Sequence, residues 1–457
     1  MLTKKKSRVE MLSGNLFINL CKFSLPLAAA SLLQLLFSSA DLVVVGQYAG
    51  SDALAAVGAN SPVINLLVNL FVGLSTGSNV VISKYIGMEN HDGANKAAHT
   101  SIVISVLSGI FLMIIGVALA DPIMALMNVP KTIEGMAAEY LRIYFLGMPF
   151  IMLYNFASSI FRSKGDTKTP LIVLFIAGLI NVGLNFFFVL SLGMDVDGVA
   201  IATVLSNVVS SVTLVVILFR SNDMLKLSMK KMRINKNILI QIVKIGVPSG
   251  LQGAVFSVSN ILIQTATNGL GSTAVAASTT AGYYEMYSYC FANAFGQAAV
   301  TFSGQNFGAG NLQRCRQVTR WSLFLGCASS FIAGFIFAML PNFFAGIYTT
   351  DAAVIELVAE RLRIVVIVEF LNTFDDVFAG VLRVYGRTLL PTILYIGSIC
   401  GVRIFWIYAI FVLPGMHTLT GLSYAYPVSW IVTSLLIMSA YFLSIRKMPG
   451  MLKTKTV

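Results

Sequence analysis

The sequence predicts an all-α polytopic membrane protein: twelve transmembrane helices in two six-helix bundles related by a pseudo-twofold axis along the membrane normal. Three observations carry this: composition, the placement of basic residues between apolar runs, and an internal repeat. Of the 457 residues, 57% are hydrophobic and only 11% are charged; mean hydropathy is +0.82. A soluble domain carries roughly 25% charged residues. Most of this chain therefore has no water to face. Apolar runs of about 20 residues, the length that crosses a bilayer core, recur from end to end.

The runs place spans near 23–47, 54–83, 97–120, 134–161, 169–191, 198–219, 238–268, 273–302, 317–340, 353–382, 389–413 and 420–444. Short clusters such as Gly50-Ser51-Asp52 separate most of them. The segment from 23 is too long for the apolar core of a signal peptide and has no small-residue cleavage site, so it reads as span 1. Of the 31 Lys and Arg, 26 fall before span 1, after span 12, or in the loops of that same side and the first two turns of the spans they lead into (Lys244 and Arg320), including the Lys4–Lys6 run. Lys131 alone lies in an opposite loop, and Arg142, Arg361, Arg363 and Arg403 lie inside spans. A miscounted span would scramble that alternation. The positive-inside rule then makes both termini cytoplasmic in a multi-pass protein of the plasma (inner) membrane.

A constant offset of 221 positions pairs Arg162 with Arg383, Gly165 with Gly386, Thr167 with Thr388 and Pro170 with Pro391. It also pairs Gly50 with Gly271, Gly87 with Gly308, Asn90 with Asn311, Glu139 with Glu360 and Arg142 with Arg363. Pro26 and Pro248 match within one position. Duplication predicts an N-terminal bundle over 1–219, a basic cytoplasmic linker over 220–237 and a C-terminal bundle over 238–457. Each repeat has an even number of spans, so both enter from the same side. Repeats of this kind are typical of transporters, with sites in or between the halves.

Several function classes are excluded. The net charge of +12 sits in loops and reads as orientation rather than nucleic-acid binding. No Gly-Lys dipeptide occurs, so there is no Walker loop and no ATP-driven chemistry in this chain. Neither the five Cys nor the three His show metal or disulfide spacing. No enzyme activity and no cofactor are expected.

An ionised residue at mid-span costs roughly 2.5–3.5 kcal/mol on insertion scales, so each needs a reason. Asp41 in span 1, Asn185 in span 5 and Thr203 in span 6 each lie a few residues from the outer end of their helix; for Asp41 the depth is ~10 Å. Asn181 and Asn207 lie one turn deeper on the faces of Asn185 and Thr203. One carboxylate with neutral oxygen donors suits H⁺ or a small hard cation such as Na⁺; the alternative is a set of separate interhelical hydrogen bonds. Pro26 removes a backbone donor in span 1 and is a candidate hinge, or a static kink. Glu139–Arg142 and Glu360–Arg363, each at i, i+3, are expected to be structural ion pairs. Glu285 near mid-bilayer, with Tyr284 and Tyr287, is a candidate for a substrate cavity, the alternative for Glu285 being an ion pair with Arg403 or another buried arginine.

Leu25-Pro26 followed by Asp41 and Gly46, the duplicated Arg-x-x-Gly-x-Thr-x-x-Pro, Gly-Val-Ala-x-Ala-Thr at 198–203 and Ala-Gly-Val-Leu-Arg at 379–383 together resemble the multidrug and toxic compound extrusion (MATE) family. The resemblance covers nearly the whole chain. It implies two bundles forming a V, alternating access, and export of amphiphilic organic cations in exchange for H⁺ or Na⁺. It also implies a coupling site at Asp41, Asn181, Asn185 and Thr203, and a monomer whose partners are small molecules and the lipid bilayer. Departures are Asn185 where many relatives carry Asp, and Gln252, Asn260, Gln264 and Asn372 where one branch has acids. A lipid-linked oligosaccharide flippase of the wider superfamily is the alternative; it would need a cationic groove.

Overall fold

A computed structural model describes residues 9–127 and 129–446. The Lys4–Lys6 run and the basic tail beyond Arg446 lie outside the described residues, which contain helices and turns but no strand. In chain order the helices are α1 (Leu16–Val44), α2 (Ser51–Gly87), α3 (His91–Ala118), α4 (Ala120–Leu126), α5 (Glu134–Leu146), α6 (Met148–Ser163), α7 (Lys168–Phe186), α8 (Val196–Arg220) and α9 (Lys236–Asn268). They continue as α10 (Ser272–Gly308), α11 (Leu312–Met339), α12 (Pro341–Tyr348), α13 (Ala352–Val365), α14 (Leu371–Val384), α15 (Leu389–Tyr395), α16 (Gly401–Phe405), α17 (Leu419–Ser423) and α18 (Ala425–Arg446).

Among the described residues, nine helical stretches are long and apolar enough to cross a membrane. The pair α5–α6, bent by 47°, makes a tenth. The bend falls at Gly147, just before Pro149, which occupies the first turn of α6, where its missing N–H costs no helical bond. Two further segments occupy predicted spans 8 and 10. The 37-residue α10 is rich in Ala, Ser and Thr. Span 10 is divided into α13 and α14 by a 3₁₀ turn at Val366–Val368 and carries several ionisable side chains. The short helices α4 and α12 are not foreseen by hydropathy.

The duplication is visible in the backbone. The helices α2 and α10 each have 37 residues, and α3 and α11 each have 28. Asn90 and Asn311 cap the latter pair in the same way, accepting from Gly93 N and Arg314 N. Gly50 and Gly271 both take φ 96°, a left-handed conformation that favours glycine, before α2 and α10.

Among the described residues, 9–10 and 29–250 form one compact unit, and 11–28 with 251–446 form the other. In the first unit, Leu141, Phe145, Met148 and Met152 of α5–α6 lie fully buried against Leu112 of α3. Lipid is as apolar as leucine, so close packing and interhelical hydrogen bonds hold these helices together rather than water exclusion. Asn60 on α2 accordingly donates to Ala137 O on α5 at 3.0 Å. On α9, Gly246 and Gly250 meet Gly73 and Gly77 on α2 so closely that a Cβ on Gly250 would lie 1.9 Å from Leu70 O. In the second unit, Val377, Val381 and Leu382 of α14 pack with Tyr395, Trp430, Ile437 and Tyr441.

A Cβ at Gly116 would lie 1.9 Å from Phe145 Cδ1. We expect Gly116→Leu to cost about 1–3 kcal/mol through overpacking, read as a lower Tm in detergent. Adding Phe145→Ala should give a double variant that loses less than the two single losses together. Additive losses would contradict this packing.

Candidate functional site

Asp41 projects from α1 one turn before that helix loosens into a π-helical turn at Val45–Ala49. Asn185 stands at the end of α7, immediately before a second π turn at Phe187–Ser191. Such turns are rare and concentrate at functional sites. Asn185 is fully buried, Asn181 almost so, and Asp41 stays partly exposed.

The Asn185 side-chain amide donates to Asp41 Oδ1 at 2.5 Å. The same nitrogen lies 3.5 Å from Asn181 Oδ1. Thr203 Oγ1 sits beside the Asp41 carboxylate and donates to Val199 O at 3.0 Å. Asn207 donates to Thr203 O at 2.8 Å, which fixes the local face of α8. The structure thus brings Asp41, Asn181, Asn185 and Thr203 together across three helices. Asn185 Oδ1 is buried with no partner among the described residues. An unpaired buried amide oxygen is costly unless a donor or cation completes it. Among the described residues, the carboxylate has amide and hydroxyl neighbours but no arginine or lysine partner. That oxygen-rich, cation-free arrangement can take up a proton or a hard monovalent cation.

Two residues of this site escape the sequence reading. Tyr140 and Tyr144 on α5 lie close enough to feel the Asp41 charge, and their rings stack at 6.1 Å. Their spacing of four on predicted span 4 is the only sequence signal for them. Pro26 lies within α1, which runs unbroken through it.

Other expectations need correction. Neither i, i+3 ion pair forms. Arg142 pairs with Asp121 on α4, a helix that hydropathy does not reveal, and Glu139 is exposed. Glu360 accepts from Thr420 Oγ1, and Arg363 is exposed. Spacing permits a pair, but a cross-helix partner has better access.

Of the residues expected to line a substrate cavity, Tyr284 is buried and Glu285 and Tyr287 are half-buried. Tyr284 is 3% exposed, packs against Phe337 and Phe344 and donates its hydroxyl to Phe344 O at 2.7 Å. Tyr287 Oη lies 3.5 Å from Tyr348 Oη. Glu285 accepts from Arg361 Nε at 2.8 Å, the ion-pair alternative with a different arginine from Arg403. Arg403 instead donates to Asn260 Oδ1 at 2.7 Å and Ser259 Oγ at 3.2 Å. Both guanidiniums lie over the Tyr426 ring. Arg383 donates to Gln252, Asn372 to Glu369 at 2.7 Å, and Ser434 to Asp375 at 3.0 Å. Among the described residues no group of three or more His, Cys, Asp or Glu is placed to hold a metal.

The MatE family model matches the chain twice, over residues 26–187 and 248–409. The chain belongs to the MatE family. The two matched stretches are the two halves of the internal repeat. The curated relatives of this MatE chain include the probable multidrug resistance protein YoeA of Bacillus subtilis, 28% identical over 96% of both chains. The probable multidrug resistance protein NorM of Thermotoga maritima is 27% identical, with 84% of this chain and 83% of that one covered. Among solved structures, a MATE protein in complex with MaL6 superposes with a TM-score of 0.90 at 22% identity, covering 98% and 100% of the two chains. A MATE transporter in an outward-facing conformation gives 0.88 at 22% identity, covering 98% and 99%. These likenesses establish the two-repeat MATE fold. The MatE chain is a multi-pass membrane transporter and not an enzyme.

Removing one partner of a buried ion pair strands the other charge. Glu285→Gln or Arg361→Gln alone should therefore cost about 3–5 kcal/mol, and the double variant less than either. A thermal-shift series on purified protein checks the order; a double variant worse than both singles would refute the pairing.

Proposed function

We propose that this chain is a secondary active antiporter that exports amphiphilic organic cations and other drugs in exchange for H⁺ or Na⁺, by alternating access. Membership of the MatE family and relatives named as multidrug resistance proteins support the drug-export half of this reading. The observation that supports the coupling half is the Asp41 cluster: a partly accessible carboxylate held by the Asn185 amide, beside the Thr203 hydroxyl and an unpartnered amide oxygen.

The ion arrives from the outer side and neutralises Asp41. The Asn185 amide then loses its charged acceptor, and α1, α7 and α8 repack around a neutral or ion-filled site. Pro26, which leaves a gap in the donor ladder of α1, is the point at which that helix bends. Repacking lowers affinity for the drug. Reciprocity requires that the drug likewise lower affinity for the ion, which is what makes the exchange coupled. The basic loops and both termini face the cytoplasm in this scheme. The flippase alternative needs free buried cations to hold a pyrophosphate. Arg361, Arg383 and Arg403 each donate to a side chain of their own unit, with one nitrogen of each, and of Arg162, left without a partner among the described residues.

Purified protein in liposomes, given a fluorescent organic cation and either a pH or a Na⁺ gradient, tests the scheme. Dye movement should follow one gradient. Asp41→Asn should remain folded and inserted and lose gradient-driven movement; full retention would overturn the site. Thr203→Val should weaken apparent affinity for the coupling ion by roughly 3–10-fold, the worth of one hydrogen bond of about 1 kcal/mol.

A further inference from the structure

The segment joining α8 to α9 is ordered against the first unit rather than a loose tether. Asn95 on α3 clamps two of its carbonyls, donating to Met224 O at 2.9 Å and Lys226 O at 3.0 Å. One turn on, His99 Nε2 accepts from Ser228 N at 2.9 Å, while its Nδ1 lies 2.8 Å from Asn95 O. Thr100 Oγ1 accepts from Asn235 N at 3.2 Å. Asp223 pairs with Lys164 at 3.0 Å in a largely buried bridge and accepts from Leu225 N at 2.9 Å. Leu225 and Leu227 turn inward and are buried.

With those two leucines inward, the basic side chains face out. Lys226, Lys230, Lys231, Arg233 and Lys236 are all exposed. Met229, at the start of a 3₁₀ turn Met229–Lys231, is 75% exposed, and Ile234 is 41% exposed. No acidic residue occurs between Asp223 and Glu285. The nearby Asp92 is paired with Lys96, and Asp223 is occupied by Lys164. The segment joins the ends of two membrane-crossing helices, so it lies at the boundary where lipid headgroups are found.

We propose that this ordered strap, through Lys230, Lys231 and Arg233 with Met229 and Ile234 between them, is a docking site for the phosphate headgroups of anionic phospholipids. Excess positive charge alone would attract such lipids diffusely. Here α3 holds the strap in one conformation, so the cations are presented together and little ordering remains to be done on binding. Arginine and lysine supply charge-assisted donors to phosphate oxygens. The exposed methionine and isoleucine fit the acyl boundary just beneath. This proposal does not depend on the antiport reading.

The test is native mass spectrometry of the purified full chain titrated with phosphatidylglycerol and, separately, phosphatidylethanolamine. The wild type should retain phosphatidylglycerol preferentially. Lys230→Gln/Lys231→Gln/Arg233→Gln should reduce that preference by about tenfold or more. Arg316→Gln/Arg320→Gln/Arg387→Gln, which removes the same charge elsewhere, should leave it unchanged. Asn95→Leu/His99→Leu keeps every Lys and Arg but releases the strap, and should also weaken it. Monodispersity of each variant confirms folding. No preference in the wild type, an unchanged preference in the strap triple variant, or an equal loss in the control would overturn the proposal. Full retention after strap release would overturn it as well.

Discussion

A bilayer core offers no water to a polar group, so every amide, hydroxyl and charge that enters it must be satisfied by another part of the chain. Backbone groups meet that demand by forming helices. Side chains meet it in two ways here. In the second unit, Glu285 is engaged by Arg361, Arg383 by Gln252, and Arg403 by Asn260 and Ser259, while Glu369 Oε2, Asp375 Oδ2 and one nitrogen of each arginine have no partner among the described residues. In the first unit the demand is met only in part. Asp41 has an amide donor and no cation, and Asn185 Oδ1 has no partner among the described residues. On the proposed reading, the unmet need at Asp41 and Asn185 is what a proton or Na⁺ fills and what a gradient acts on.

Duplication supplied the frame and divergence supplied the difference. The repeats keep the lengths of α2 and α10 and of α3 and α11, and the Asn caps of the latter pair. Their chemistry does not match. At the shared offset, Asn181, Asn185 and Thr203 correspond to Val402, Trp406 and Tyr424, and Asp41 falls opposite the apolar Leu262-Ile263. In the other direction, Glu285 and Glu369 correspond to Ile64 and Met148. Arg361 corresponds to Tyr140, which stands beside Asp41 in the first unit. The same backbone position thus serves a neutral, oxygen-rich site in one unit and an ion pair in the other. The strap between α8 and α9 adds a third use of polar groups: His99, Asn95 and Thr100 spend their hydrogen bonds on fixing a connecting segment rather than on a neighbouring helix.

The span pattern was legible because membrane helices leave long apolar runs, and the repeat because turn glycines, caps and prolines recur at one spacing. Depth along the helices grouped Asp41, Asn181, Asn185 and Thr203 with Asn207, and the family resemblance narrowed the group to the first four. Side-chain partners across helices were harder. The i, i+3 spacing of Glu139 and Arg142 is local and visible, whereas Asp121 lies on a short helix whose existence and direction only packing determines. Glu285 could be recognised as needing a cation, but Arg361 and Arg403 have similar depth, and the choice between them rests on helix rotation. Tyr284 read as a cavity residue because an aromatic-rich helix face looks alike whether it lines a space or fills one. The ordered linker was hidden for a related reason. Its basic composition signals a surface, while its anchors, single polar residues on α3, look ordinary in sequence.

On the proposed reading, ion and drug compete through Asp41. Equilibrium binding of a fluorescent organic cation to purified protein, with pH and Na⁺ varied one at a time in the wild type and in Asp41→Asn, tests this. One ion should weaken drug binding in the wild type, and the dependence should vanish in Asp41→Asn. Drug affinity that ignores both ions in the wild type, or an ion dependence that survives the substitution intact, would contradict it.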